Sequence, residues 1–241
     1  MMPSPPAFLT IAIPTMRRWA FLKETLPIFL DRPEVAEVII CDETGEDIEQ
    51  IEATHKNPKL RCIRNERVLG IYENKRKALS LAKTDWVAIL DSDNYFLDEW
   101  FEVLAAAVDQ ADLTKVYATA DFKFVNQKDS TVTTPCSSFS GLTLNRLNWN
   151  KTLEVSSANV LLNDGNWVVP RKVLDTLPSS TKSSDVLAAD AIYMTWCFVK
   201  GGFTIQYVAD LVYLHMIHDE STWLKTASES SRILRETDWR L

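Results

Sequence analysis

Apolar positions in the first half of the chain switch repeatedly between two spacings. Phe8 to Ile13 is a β-branched, apolar run that stops at Pro14, the pattern of a strand buried on both faces. Residues 17 to 30 instead carry Trp19, Phe21, Leu22, Leu26, Phe29 and Leu30 at helical spacing. Pro27 is expected to kink that helix, and Pro33 lies beyond its stop. The alternation continues with a strand over Val35 to Cys41, and then a helix over Glu46 to Lys56 with Ile48 and Ile51 inward. A third strand follows at Leu60 to Arg64, then a basic amphipathic helix over 71 to 83. Trp86 to Leu90 reads as the fourth strand, Leu97 to Val108 as a helix and Lys115 to Ala120 as the fifth strand. Four strand–helix units with short connections predict an α/β fold, with a mostly parallel central sheet flanked by helices.

Beyond residue 120 the rhythm changes. Phe122 to Val132 reads as a hairpin turning at Asn126 to Ser130, whereas 136 to 165 is polar, Asn-rich and matches no element. A helix over Asp185 to Lys200 stops at Gly201-Gly202, Phe203 to Val208 is a late strand, and 221 to 236 is a closing amphipathic helix. There is neither internal repeat nor low-complexity linker. The expected organisation is one domain with two halves, 8–120 and a smaller mixed region over 121–241.

Composition removes several function classes. Only 6 of 241 residues are glycine, where average usage would give about 17. None are spaced as G-x-G-x-x-G or as a P-loop, so neither a dinucleotide-binding fingerprint nor a Walker motif is present. Net charge is −7, from 26 basic and 33 acidic residues, without a basic stripe for nucleic acid or an anionic membrane. The apolar runs are too short to span a bilayer, and the N-terminal segment lacks the basic start of a signal peptide. Cys41, Cys62, Cys136 and Cys197 are scattered, without a C-x-x-C pair. Buried free thiols in a soluble, cytoplasmic protein are expected.

In open α/β sheets, ligands bind beyond the carboxyl ends of the strands. Those ends carry Pro14-Thr15-Met16-Arg17-Arg18, Asp42-Glu43-Thr44, Arg64-Asn65-Glu66-Arg67 and Asp91-Ser92-Asp93-Asn94. Were the fourth strand to continue, Asp91 and Asp93 would share a face, because side chains alternate with period two. Two carboxylates so close call for a hard divalent cation, Mg²⁺ or Mn²⁺, which takes one or two carboxylates plus substrate phosphates. The alternative is a solvated pair capping the helix near Leu97. Asp at the end of so apolar a strand is costly without a partner.

The runs FLTIAIPTM, IICDETG, NERVLGIYENKRKAL and AKTDWVAILDSDN resemble, in order, segments of the family 2 nucleotide-sugar glycosyltransferases with the GT-A fold. AADAIYMTWCFVKGGF is similar to that family's acidic motif and helix, and YLHMIHDESTW to its C-terminal His motif. The resemblance covers about residues 8 to 223 and implies a single Rossmann-like GT-A domain. Its first half would bind the donor and its second half the acceptor. By the same resemblance, Pro14 and Thr15 lie against the nucleotide with Arg17, Glu43 and Ser92 beside it, and Asp42 accepts a hydrogen bond from the base, usually uracil. Asp91 faces the ribose or the metal region, Asp93 holds the metal at the diphosphate, and His218 contacts the metal or phosphates. Asp190 is the implied general base. Two departures stand out. Arg76, a candidate diphosphate contact, occupies a place where the family usually has Asn, with Lys75 before it where Arg is common. The acidic motif is Ala189-Asp190 in place of Glu-Asp.

The resemblance implies transfer of a sugar, most simply a hexose, from a nucleoside diphosphate such as UDP to a hydroxyl of a glycan or small-molecule acceptor. Mn²⁺ or Mg²⁺ would neutralise the leaving diphosphate. A positioned carboxylate contributes typically about 10²–10⁴-fold. One base and no evident nucleophile on the opposite face make inversion the simpler course. Further modules in a longer polypeptide are compatible with this reading.

Rival readings are a haloacid-dehalogenase-type phosphatase, a sugar-nucleotide pyrophosphorylase and a binding module without turnover. The phosphatase wants Thr or Val where Tyr95 stands, and the pyrophosphorylase wants a glycine-rich first loop. Asp190 as a mere helix cap and the Lys75-Arg76-Lys77 cluster as a solvated face are the bland alternatives. His55 and His215 read as structural, while Trp149 and Trp167, in polar surroundings, are candidates to stack on a sugar ring.

Overall fold

The computed structural model describes residues 7–120, 123–128, 130–133, 140–155, 162, 164–179 and 186–241. The first half follows β1 (Leu9–Thr15), α1 (Trp19–Asp31), β2 (Val35–Asp42), α2 (Glu46–Thr54), β3 (Leu60–Arg64), α3 (Ile71–Ser80) and β4 (Trp86–Ile89). Then come β5 (Tyr95–Phe96), α4 (Asp98–Ala107), β6 (Lys115–Thr119), β7 (Lys123–Asn126), β8 (Val132–Thr133), β9 (Thr143–Leu144) and α5 (Trp149–Leu153). The chain finishes with β10 (Trp167–Pro170), α6 (Asp190–Lys200), β11 (Thr204–Val208), β12 (Tyr213–Ile217) and α7 (Thr222–Glu236). Helix α1 runs on through Pro27. Cys136 and the expected helix start at Asp185 lie outside the described residues.

The main sheet has eight strands in the order β3-β2-β1-β4-β10-β6-β11-β9. The four amino-terminal strands are parallel, as their two-faced apolar runs predict. The fifth expected strand, β6, does not sit beside β4. Instead β10 lies between them and runs antiparallel to both, with Trp167 opposite Ile89 on one side and Ala118 on the other. A four-residue strand, wholly buried, offers too short a pattern to be told from loop in the sequence. A second sheet, β5-β12-β7-β8, holds the expected hairpin and carries β12 across the carboxyl end of the main sheet.

Alternation along the strands divides the interior into two cores. Ile11, Ile13, Val38, Ile40, Trp86 and Ala88 face α1 and α4. Ala12, Ile39, Cys41, Val87 and Ile89 face α3 and α6. Trp149 and Trp167 belong to this second core and not to a sugar platform. Trp149 is fully buried and its indole N–H donates to the Trp239 carbonyl at 2.7 Å, while Trp167 is 2% exposed. Among the described residues, no helix is long and apolar enough to cross a membrane.

Candidate active site

The carboxyl ends of β1, β2 and β4 open onto a cavity of about 1250 Å³, closed on its far side by β12 and α7. The β1 loop is pinned from α2. Asp47 accepts from Thr15 Oγ1 at 2.6 Å and from the Arg18 and Trp19 amides at 2.8 Å, supplying the donor-pairing that the amino end of α1 lacks on its own. This turn sends Arg18 into the cavity and Arg17 out of it. Arg17 adopts φ +59° and pairs with exposed Glu46 at 2.9 Å.

Asp42, expected at the base, is fully buried and its carboxylate is turned onto the start of α2, accepting from the Thr44, Asp47 and Ile48 amides at 2.9–3.1 Å. Glu43 lines the cavity, yet both its oxygens accept from the loop before α3, at the Leu69 and Gly70 amides. Pro14, Thr15 and Ser92 also line the wall.

The segment from Asp91 to Asn94 is a turn, not a continuing strand, closed by the Asn94 amide on the Asp91 carbonyl at 2.9 Å. The two carboxylates therefore part and each meets its own cation. Asp91 pairs with Lys75 at 2.8 Å, whereas Asp93 meets His218 Nε2 at 2.8 Å and Arg18 Nε at 3.5 Å. Burial, reinforced by Asp190 and Asp93 and opposed by Lys75, pushes the Asp91 carboxyl up to about 6. Burial would also raise Asp93, but the His218 hydrogen bond and the Arg18 charge outweigh it and hold Asp93 low.

Asp190 opens α6 and lies 2.9 Å from Lys75, so one ammonium bridges the carboxylates of Asp91 and Asp190. Burial favours the neutral amine, yet Asp190 and Asp91 more than offset it and raise the Lys75 pKa. The sequence holds a signal for this lysine. Tyr72, Lys75, Ala78 and Leu79 follow the 3–4 spacing of the buried stripe of α3, which sets a lysine among apolar positions. Arg76, one step around the helix, points away and donates to the Leu177 carbonyl at 3.2 Å. Asp47, Asp164 and Asn166 carry no comparable signal.

The donor set can be tested for a divalent ion. Octahedral ligands about 2.0–2.1 Å from Mg²⁺ stand roughly 3 Å apart along an edge. The Asp93–His218 separation of 2.8 Å, a hydrogen bond in this structure, is close to that edge; the carboxylate suits Mg²⁺ or Mn²⁺, and the imidazole favours a transition metal over Mg²⁺. Asp93 lines the cavity with His218 buried behind it, while Asp91 is committed to Lys75. Among the described residues no cluster of three acidic, His or Cys groups converges on one point.

The profile of "Glycosyl transferase family 2" matches residues 10–167. The chain belongs to glycosyl transferase family 2. It is 28% identical over 129 residues to an uncharacterized glycosyltransferase of Haemophilus influenzae, covering 53% of this chain and 44% of that protein. Its fold is similar to that of S. aureus TarS 1-349 in complex with UDP-GlcNAc, at a TM-score of 0.66 and 16% identity over 95% of this chain. It is also similar to GalNAc-T7 with UDP, GalNAc and Mn²⁺, at 0.65 and 13% over 97%. The chain spans less than two thirds of these relatives, 64% of TarS 1-349 and 48% of GalNAc-T7. The GT-A architecture expected for the family is the one observed.

Proposed function

We propose that this chain transfers a hexosyl group from a nucleoside diphosphate, most simply UDP, to a hydroxyl of a glycan or related acceptor, with inversion. The observation that carries this reading is the single cavity wall holding Asp93 and Asp190 on either side of the Lys75–Asp91 pair. Asp93 and His218 would hold Mn²⁺ or Mg²⁺, which when bound supplies positive charge to the departing diphosphate. Arg18, beside Asp93, adds a fixed cation at the same end. Asp190 takes the acceptor hydroxyl proton, and Lys75, 2.9 Å away, holds its carboxylate in place. Burial of this group excludes water from the proton transfer. The crystallised relatives hold UDP-GlcNAc or UDP with Mn²⁺, which supports the donor class. Free Cys41, Cys62 and Cys197 suit a reducing, cytoplasmic setting.

The test is a transfer assay over UDP-, GDP- and dTDP-sugars, with and without Mn²⁺. Asp190→Asn should lower turnover by about 10²–10⁴-fold while calorimetric donor affinity stays within twofold. Chelation should abolish turnover and Mn²⁺ restore it. Absence of nucleotide binding, or full activity after Asp190→Asn, would refute the assignment; a retained anomeric configuration would refute inversion.

A further inference from the structure

Asp164 lies on the cavity wall and is only 6% exposed. Its Oδ1 is saturated, accepting from the Tyr213 hydroxyl at 2.8 Å and from the Asn166 amide and side-chain N–H groups at 3.1 Å. Its Oδ2 is buried and has no hydrogen-bond partner among the described residues. A buried acceptor left without a donor is costly, and such groups persist where a ligand completes them. Asn166 also accepts from the Asp91 amide at 2.9 Å, which fixes Asp164 relative to the turn from Asp91 to Asn94. Gly165, the next residue, approaches the charge pair so closely that a Cβ would stand 2.5 Å from Lys75 Nζ and 3.2 Å from Asp91 Oδ2. Asp164 is thus held next to the residues that flank the Lys75–Asp91 pair.

A neutral donor would complete Oδ2. Lys75 is already committed to two carboxylates, and among the described residues no three-group metal cluster includes Asp164. Burial pushes the Asp164 carboxyl up to about 6, so above neutrality it is ionised and only accepts.

We propose that Asp164 forms a donor-sugar subsite, in which Oδ2 accepts a hydrogen bond from one ring hydroxyl of the hexosyl group and thereby sets which hexose is transferred. The proposal rests on the nucleotide-sugar reading above. It is tested by calorimetry with whichever of UDP, GDP and dTDP binds the wild type best, the best-binding hexose diphosphate of that nucleotide, and its four monodeoxy analogues. A hydrogen bond to a charged group corresponds to a factor of about 10–100. One deoxy position should cost the wild type that factor. Asp164→Asn should bind the bare nucleotide like wild type, bind the sugar nucleotide about 10–100-fold more weakly, and be indifferent to that same deletion.

Equal losses in both proteins, or an equal loss for the bare nucleotide, would overturn the subsite while leaving the donor class intact. Absence of any nucleotide binding by the wild type would overturn the donor class itself. Should Asp164→Asn not fold, Asp164→Ser, which keeps an acceptor for Tyr213, carries the cycle. Should neither fold, a wild-type deoxy series in which no position costs tenfold overturns the proposal.

Discussion

Replacing Lys75 by Met keeps most of the side chain's volume and removes only its charge. The ammonium is 2% exposed, within 2.9 Å of both Asp91 and Asp190 and 5.7 Å from the Trp167 ring centroid. Its loss leaves the buried Asp190 and the one-third exposed Asp91 carboxylates without a countercharge, and breaking a fully buried pair, the upper limit here, typically costs about 3–5 kcal/mol. With an m-value of about 3 kcal/mol/M, the urea midpoint at pH 8 should fall by up to about 1–1.7 M. The deficit depends on pH with a defined sign. Without Lys75, burial and the neighbouring Asp190 and Asp93 charges raise the Asp91 carboxyl further above its unfolded value of about 3.9, so the folded variant binds more protons than the unfolded chain. Its stability therefore falls as pH rises through the raised value, and the deficit is largest at pH 8 and shrinks toward pH 5. The wild-type Asp91 carboxyl, already near 6 with Lys75 in place, sets the lower end of that window. Adding Asp190→Asn to Lys75→Met should recover part of the loss, because one unpaired charge is gone. Coincident midpoints at pH 8, or an equal deficit at pH 5 and 8, would refute the bridging role.

Gly165→Ala should lower donor affinity by at least tenfold in calorimetry, because its Cβ would displace an ammonium that two carboxylates hold in place; wild-type affinity would show that Lys75 can move. Asp42→Ala should cost about 1–2 kcal/mol through the lost cap on α2, a melting temperature about 2–8 °C lower, and an unchanged melt would contradict the observed bonding. Arg76→Ala should leave donor affinity within twofold, since its guanidinium serves the Leu177 carbonyl; a tenfold loss would return it to the diphosphate. Trp149→Phe should accelerate amide exchange around Trp239, whose carbonyl loses its indole donor, and an unaltered exchange pattern would count against that anchor.

Local patterns made much of this protein readable. The first four strands are buried on both faces, so each is an apolar run, and the helices between them carry the stripe that covers it. The polar residues at those strand ends were visible because nothing in a buried strand otherwise calls for charge. What local pattern could not decide was direction and company. Asp91 and Asp93 looked like neighbours on one strand face, and only the turn after β4 sends one to Lys75 and the other to Arg18 and His218. Asp42 stood out as a ligand candidate, and only the folded chain shows its carboxylate turned onto the α2 amides. Within Lys75-Arg76-Lys77, helical phase selects a single buried charge, and that phase matters only once α3 is docked. Asp164 meets Tyr213 across 49 residues and Asn166 meets Asp91 across 75, contacts that exist because β10 inserts between β4 and β6. Spacing along the chain sets periodicity and burial; pairing of charges and satisfaction of buried polar atoms depend on distances that folding alone creates.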